Sequence, residues 1–263
     1  MQVYYGELPD ETLLMKTQCL TLSLCTLLLA GHAQAAEITV SAAASLTNAF
    51  KDIAHHYEAQ YPGSKINFNF AASGALLQQM SKGAPVDVFA SADQETMDSA
   101  IKQKLVNAAD RKDFARNALV VITPTDSKLK LQQLADLQQA GIKHIALGVP
   151  ASVPVGRYAQ RALENAHLWT AVGSKAINTQ NVRQSLDYVA RGEVEAGFVY
   201  QTDAAIMPDK VKIAFSVPLD EKISYPVANT AESSNAVEAR RFVNYLLSPA
   251  SQAILARYGF QKP

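Results

Sequence analysis

From residue 37 onward, short apolar stretches alternate with segments whose apolar residues recur at helical spacing. The apolar stretches predict strands over residues 38–40, 66–70, 86–90, 118–122, 145–148 and 196–200. Helical spacing predicts helices over 46–57, 76–80, 97–101, 131–137, 158–163, 182–189 and 242–246, and a last helix from 248. Strands that alternate with helices in this way predict an α/β protein with mostly parallel sheets.

The 263 residues suffice for one large domain or for two lobes. No Pro/Gly-rich linker interrupts the alternating pattern, so two lobes between which the chain crosses more than once account for both length and pattern. Ligands of open α/β sheets bind at the carboxyl ends of the strands. A ligand site is therefore expected where strands lead into helices.

Two of these strand-to-helix turns share one design. The first runs through three alanines at 42–44 to Ser45, and the second runs through two alanines at 71–72 to Ser73. Small residues let a ligand approach the backbone, and a hydroxyl beside the free N–H groups of a helix start favours an anion. Serine is also a common N-cap, and most helices that begin with serine bind nothing. The repetition of the design favours an anion site.

Composition narrows the possible classes of protein. The chain is 48% hydrophobic, 18% charged and formally neutral, which is typical of a globular protein and offers no basic surface for nucleic acid. Residues 1–35 are expected to be a leader and a cleaved signal peptide that starts at Met15, because Lys16, an apolar core over 20–30 and the small-x-small sequence at 33–35 follow in that order. Both cysteines lie in this segment, so the exported chain would have no disulfide.

Three positions in the second half complete the candidate site. Val155 follows a strand and opens a helix, Val182 opens another helix, and Tyr200 ends a strand. The two valines would offer backbone N–H groups, and the tyrosine would offer a phenolic O–H.

Six motifs, spread in order over the chain, closely resemble those of the periplasmic molybdate-binding proteins of ABC importers. They are the segments 42–47 (AAASLT), 83–93 (GAPVDVFASAD), 153–159 (VPVGRYA), 197–200 (GFVY), 225–227 (YPV) and 258–260 (YGF). Each motif is modest alone, but together they are specific.

The resemblance implies a two-lobed periplasmic-binding-protein (Venus-flytrap) fold, with mixed, mostly parallel sheets flanked by helices. Lobe 1 would comprise residues 36–117 and 228–263, and lobe 2 residues 118–227. The chain would cross between the lobes at Asn117-Ala118-Leu119-Val120 and at Pro226-Val227-Ala228. We expect a periplasmic monomer that delivers its ligand to an inner-membrane ABC permease.

The family holds its oxyanion with two serines, two backbone amides and a tyrosine hydroxyl. Matched by motif, these positions are Ser45, Ser73, Val155, Val182 and Tyr200. The resemblance implies that molybdate, and tungstate as well, is bound as an oxyanion, with no cofactor and no direct coordination of the metal by a side chain. Two positions depart from the family pattern, since Ala72 stands where a further serine is frequent and Val155 where alanine is common.

Molybdate near neutral pH only accepts hydrogen bonds, so a pocket of neutral donors suits it. Arg157 and Arg183 lie beside the amide positions and are expected to point to solvent or to the lobe surface. Protonated phosphate would need an acceptor, but Asp93 and Asp203 are expected to cap helices. Sulfate differs from molybdate only in size and hydration, so a binding protein for sulfate or another tetrahedral oxyanion is the main alternative.

A serine hydrolase is the alternative from another class. The sequence Gly-x-Ser-x-Gly is absent around both serines, and none of the five histidines stands in a catalytic or metal-binding motif. A ligand-sensing regulator of the same fold would need a DNA-binding segment, and the predicted export signal argues against it. The sequence therefore predicts a binding protein and not an enzyme.

Overall fold

A computed structural model of the chain describes residues 1–4 and 36–263. The predicted signal peptide lies almost wholly outside the described residues, so it stays a prediction. Ten strands are described: β1 (Ala36–Ala43), β2 (Ser64–Ala71), β3 (Val88–Ala90), β4 (Lys112–Asn117), β5 (Leu119–Pro124), β6 (Ile145–Gly148), β7 (Ala176–Thr179), β8 (Ala196–Tyr200), β9 (Val211–Ser216) and β10 (Ile223–Asn229).

Nine α-helices accompany these strands in the described residues. They are α1 (Thr47–Gln60), α2 (Ser73–Ser81), α3 (Gln94–Lys102), α4 (Pro154–Asn165), α5 (Trp169–Gly173), α6 (Val182–Ala190), α7 (Gln201–Ala204), α8 (Ala236–Leu246) and α9 (Pro249–Arg257). The predicted apolar face of α1 is confirmed, since Phe50, Ile53 and Tyr57 are fully buried. None of the helices described is long and apolar enough to cross a membrane.

The first sheet has the strand order β2-β1-β3-β10-β4. Strand β1 pairs in parallel with β2 and β3, whereas β10 is antiparallel to β3 and β4. Ala43 at the end of β1 pairs with Ala71 at the end of β2. The two serine turns therefore leave the sheet side by side at one edge.

The second sheet repeats this arrangement in the order β7-β6-β8-β5-β9. Strand β6 is parallel to β7 and β8, and β5 is antiparallel to β8 and β9. We call the half built on the first sheet lobe 1 and the half built on the second sheet lobe 2. Two mixed sheets flanked by helices confirm the predicted two-lobed α/β fold.

The chain changes sheet twice in the described region. Asn117 ends β4 in the first sheet and Leu119 begins β5 in the second, so Ala118 is the first connection. The return lies within residues 217–222, between β9 and β10. The predicted crossing at 226–228 is placed too late, because that segment is already paired in the first sheet, where a bulge beside Pro226 accommodates its missing N–H. The other predicted boundaries of the lobes stay predictions.

Candidate functional site

A small cavity lies between the carboxyl ends of the parallel strands of the two lobes. It is a narrow cavity that the two lobes enclose together. Its walls contain no charged side chain and consist of Ala43, Ala44, Ser45, Ala71, Ala72, Ser73, Ala92, Val153, Pro154, Val155, Asn181, Val182 and Tyr200. All five residues predicted for the ligand site therefore line this one cavity.

Two serines form the lobe 1 side of the cavity. Ser45 lies in the short 3₁₀-helix Ala44–Leu46, and Ser73 is the first residue of α2. Neither hydroxyl caps its helix, so the ordinary role of serine at these positions does not apply. The Ser73 Oγ accepts a hydrogen bond from the Ala92 N–H at 3.0 Å, which leaves the hydroxyl hydrogen of Ser73 to donate.

Two helix starts form the lobe 2 side. Val155 lies in the first turn of α4 and Val182 in the first turn of α6, where backbone N–H groups have no partner within their helix. The Asn181 Oδ1 accepts the N–H groups of Arg183 and Gln184 at 3.0 and 3.1 Å. The N–H of Val182 is left for an acceptor in the cavity, and the acceptor atom of Asn181 is already engaged.

Two glycines let the start of α4 rest on the end of β6. A Cβ on Gly156 would lie 1.9 Å from the Gly148 carbonyl oxygen, and a Cβ on Gly148 would lie 2.6 Å from Val153 Cγ1. A Cβ on Gly148 would also lie 3.3 Å from Val155 Cγ1. The glycine at 148 thus leaves space for the side chain of Val155. The family that the sequence motifs resemble commonly has alanine at this position.

Tyr200 closes the site at the end of β8. Its side chain is 1% exposed, and its hydroxyl has no hydrogen-bond partner among the described residues. Burial raises the pKa of Tyr200 well above its usual value, so the phenol keeps its proton at neutral pH. A buried hydroxyl without a partner costs about 1–3 kcal/mol, and an oxyanion in the cavity would supply the acceptor.

Arg157 joins the lobes beside the cavity and does not line it. Its Nε and Nη2 donate to Asp93 Oδ2 at 2.9 and 2.6 Å, and Nη2 also donates to Thr96 Oγ1 at 2.7 Å. Asp93 caps α3 as predicted, accepting the Thr96 N–H at 3.2 Å. The expectation that Arg157 points to solvent is wrong, because its side chain is only 13% exposed and bridges α4 to the start of α3.

Arg183 forms a second bridge on the other side of the cavity. Its Nε lies 2.6 Å from Asp203 Oδ1, and its Nη1 and Nη2 donate to Asn48 Oδ1 and to the Ser45 carbonyl oxygen at 2.8 and 3.0 Å. The expectation of a solvent-facing Arg183 is therefore wrong. Asp203 lies within the first turn of α7 and not at its N-cap, so its predicted capping role is also wrong. Burial raises the pKa of Asp203 to about 6, although the Arg183 guanidinium opposes the shift.

A third contact between the lobes involves backbone alone. The Gly74 N–H in α2 donates to the Ser152 carbonyl oxygen at 3.0 Å. Together with the two arginine bridges, this contact holds the lobes closed over the cavity. Both arginines are paired with carboxylates, so the cavity itself is surrounded by neutral donors.

Two residues that form a hydrogen-bonded row with Ser45, on the side away from the cavity, were not predicted from the sequence. Tyr225 Oη lies 3.0 Å from Ser45 Oγ, and Asn117 Nδ2 donates to Tyr225 Oη at 3.2 Å. Tyr225 belongs to one of the six motifs and Asn117 to a predicted crossing, yet neither motif context indicated a role in the site. Their roles depend on a packing of β4 against β10 that spans more than a hundred residues of sequence.

The family model described as bacterial extracellular solute-binding protein matches residues 38–261. The molybdate-binding protein ModA of Escherichia coli is 38% identical over 241 residues, which cover 88% of this chain and 92% of that protein. The periplasmic molybdate-binding protein of Azotobacter vinelandii superposes with a TM-score of 0.75 at 24% identity, covering 86% of this chain and 99% of that one.

The sulfate-binding protein SubI of Mycobacterium tuberculosis superposes almost as well, with a TM-score of 0.74 at 18% identity over 86% of each chain. That likeness shows the shared fold alone. The family match covers nearly all of the described residues after position 36. The chain belongs to the bacterial extracellular solute-binding proteins.

Proposed function

We propose that this protein binds molybdate between its lobes and delivers it to an ABC permease in the inner membrane, and that tungstate binds in the same way. The main support for this proposal is that five neutral donors converge on one small cavity that has no charged side chain in its wall. They are the hydroxyls of Ser45, Ser73 and Tyr200 and the N–H groups of Val155 and Val182. The relatives named as molybdate-binding support the choice of ligand.

The donors are sufficient for tight binding. A hydrogen bond to a charged group contributes about 1.5–3 kcal/mol, so five of them contribute about 8–15 kcal/mol before dehydration of the ligand and closure of the lobes are subtracted. Submicromolar binding requires a little more than about 8 kcal/mol. A counter-charge in the wall is unnecessary, and burying one would add a desolvation cost.

Sulfate is the competing ligand because its charge and hydrogen-bonding needs equal those of molybdate. The neutral donors that line the cavity suit both ions, and the ranking of molybdate above sulfate depends on the relatives and the motifs. Hydrogen phosphate is expected to bind poorly, since its proton would need an acceptor that the five proposed donors do not supply.

Hydrolysis is disfavoured by the partners of the two serines. Ser45 Oγ contacts the Tyr225 hydroxyl and Ser73 Oγ accepts from a backbone N–H, so among the described residues neither is bonded to a histidine or carboxylate that could act as a base. In residues 1–4 and 36–263, no group of three or more His, Cys, Asp and Glu side chains could hold a metal ion.

We further propose that the protein acts as a periplasmic monomer.

The test is a calorimetric titration of the purified protein with molybdate, tungstate, sulfate and phosphate. We expect submicromolar binding of molybdate and tungstate, weaker binding of sulfate and the weakest binding for phosphate, measured at millimolar concentrations of that ion. Equal or tighter binding of sulfate would overturn the assignment of molybdate while leaving the oxyanion site intact. Failure of all four ions to bind would reject the oxyanion site itself.

A further inference from the structure

Three buried polar side chains form a hydrogen-bonded row behind the cavity. Asn117 ends β4, Tyr225 lies in β10, and Ser45 faces the cavity from the 3₁₀-helix. Asn117 Nδ2 is 3.2 Å from Tyr225 Oη, which is 3.0 Å from Ser45 Oγ. The direction of the two hydrogen bonds decides whether Ser45 presents a hydrogen or a lone pair to the ligand.

The orientation of the Asn117 amide is fixed at its far end. The Ala118 N–H donates to Asn117 Oδ1 at 2.9 Å, and a backbone N–H can only donate. The Nδ2 group therefore points the other way, and its two hydrogens go to Thr202 Oγ1 at 2.8 Å and to Tyr225 Oη at 3.2 Å. Tyr225 Oη must accept from Asn117.

The hydrogen of Tyr225 then has one destination. Tyr225 is fully buried, and its hydroxyl contacts only Asn117 and Ser45 among the described residues. Since Asn117 Nδ2 cannot accept, the phenol donates to Ser45 Oγ. The Ser45 hydroxyl accepts from behind, and its own hydrogen points into the cavity.

We propose that Asn117 and Tyr225 are specificity-determining positioning residues: they fix Ser45 as a donor and so exclude oxyanions that carry a proton. This inference rests on the proposed function, in which Ser45 contacts the bound oxyanion. An acid at position 117 would offer an acceptor where the amide offers a hydrogen. Tyr225 would then donate to residue 117 and accept from Ser45, and Ser45 would present a lone pair to the ligand.

The test compares Asn117→Asp, Tyr225→Phe and the double variant in calorimetric titrations with molybdate, sulfate and hydrogen phosphate. A slightly alkaline buffer gives all three ions a charge of minus two, and only phosphate then carries a proton. Because the charge is equal, the electrostatic effect of the new carboxylate cancels in the ratio of two dissociation constants. That ratio reports the direction of the hydrogen bond and not the general stability of the fold.

For Asn117→Asp we expect the preference for molybdate over hydrogen phosphate to fall by about tenfold or more, the effect of reversing one hydrogen bond to a charged group. The preference for molybdate over sulfate should not change. The double variant carries the same charge but lacks the phenol that transmits the reversal, so its phosphate discrimination should remain that of Tyr225→Phe alone. Tyr225→Phe by itself should weaken molybdate binding by about tenfold, since Ser45 loses its fixed orientation.

The proposal would be overturned if a folded Asn117→Asp variant kept its full preference for molybdate over phosphate. It would also be overturned if the double variant lost as much of this preference as Asn117→Asp does. If Asn117→Asp does not fold, unaltered molybdate binding by Tyr225→Phe overturns it. Failure of the wild-type protein to bind molybdate contradicts the proposed function instead. In that case sulfate replaces molybdate as the unprotonated ion. The ratio of the sulfate and phosphate dissociation constants then still tests whether Asn117 and Tyr225 orient the Ser45 hydroxyl.

Discussion

The unpartnered hydroxyl of Tyr200 allows a prediction in which binding and folding respond differently to the loss of one oxygen. Tyr200→Phe removes the phenolic O–H and preserves the ring, which packs against Tyr225 with its centroid 5.8 Å away. No protein group loses a hydrogen bond, because none of the described residues is bonded to that hydroxyl. The free energy of unfolding of the ligand-free protein should therefore be unchanged or slightly higher.

Binding of molybdate should weaken. Loss of one hydrogen bond to a dianion costs about 1.5–3 kcal/mol, which raises the dissociation constant by about 10- to 150-fold. At a ligand concentration of about 1,000 times the wild-type dissociation constant, molybdate adds about 4.1 kcal/mol to the unfolding free energy. A loss of about 30-fold in affinity reduces this gain to about 2.1 kcal/mol. Calorimetric titration gives the affinity, and denaturant unfolding with and without molybdate gives the gain.

A matched control is Tyr57→Phe, which removes a fully buried phenol from the core of lobe 1. The Tyr57 hydroxyl donates to Glu238 Oε1 at 2.5 Å, so its loss leaves a buried carboxylate short of a partner. This variant should lose stability and retain its affinity for molybdate. Wild-type affinity in Tyr200→Phe, or equal losses of affinity in both variants, would refute the role assigned to Tyr200.

Three further changes test other parts of the site. Ser73→Ala should raise the dissociation constant of molybdate by about 10- to 150-fold in calorimetry, because it removes a donor from the cavity. Gly74→Ala places a Cβ 2.7 Å from the Ser152 carbonyl oxygen, so the lobes cannot close as described, and the affinity for molybdate should fall in calorimetry. The pKa of Asp203, about 6 when folded, lies above that of the unfolded chain, so its contribution to stability should decline as pH rises from about 4 to about 6. Denaturant titrations should show this decline, and Asp203→Asn should flatten it.

Each change has its own control or contradicting result. Ser81→Ala lies at the opposite end of the same helix and should bind molybdate normally. Gly173→Ala is the control for Gly74→Ala, since its Cβ would meet only the Trp169 ring at an ordinary 3.5 Å. Unaltered affinity in Ser73→Ala or Gly74→Ala would contradict the described site and closure. An equally steep pH profile in Asp203→Asn would contradict the buried acid as its origin.

Most strands in the interior of the two sheets were predictable because both of their faces are covered. Strands β5, β6 and β8 are continuous apolar runs, and every position of β6 and β8 is buried. Periodicity missed β4, β7 and β9, which lie at sheet edges, and also the interior strand β10, whose apolar run is interrupted by Pro226. Edge strands leave some positions exposed and carry polar residues there, as Lys212 in β9 shows, so their pattern resembles that of a loop. The predicted helix over 131–137 is instead a short 3₁₀-helix, Leu134–Gln138, in which Leu137 is the buried residue.

The wall of the candidate site was predictable because each donor is set by a local rule. A serine after small residues, a helix start or a strand end can be read within ten residues of sequence. The partners of the arginines could not be read in this way, since Arg157 is 64 positions from Asp93. The same holds for Tyr225, which is 180 positions from Ser45. Local sequence predicts which groups can donate, and tertiary contacts decide which hydrogens remain free to do so.

The closed contacts between the lobes also determine how the ligand leaves. The donor residues are between 0% and 4% exposed, so a bound ion has no path to solvent while Gly74 contacts Ser152 and the two arginine bridges hold. Dissociation must wait for these contacts to break, and its rate is then at most the rate of lobe opening. Changes in the five proposed donors would alter the affinity of the closed site, whereas changes in the bridges would alter both the affinity and the residence time. A transporter that pulls the lobes apart could thus release the ion quickly without weakening any of its hydrogen bonds beforehand.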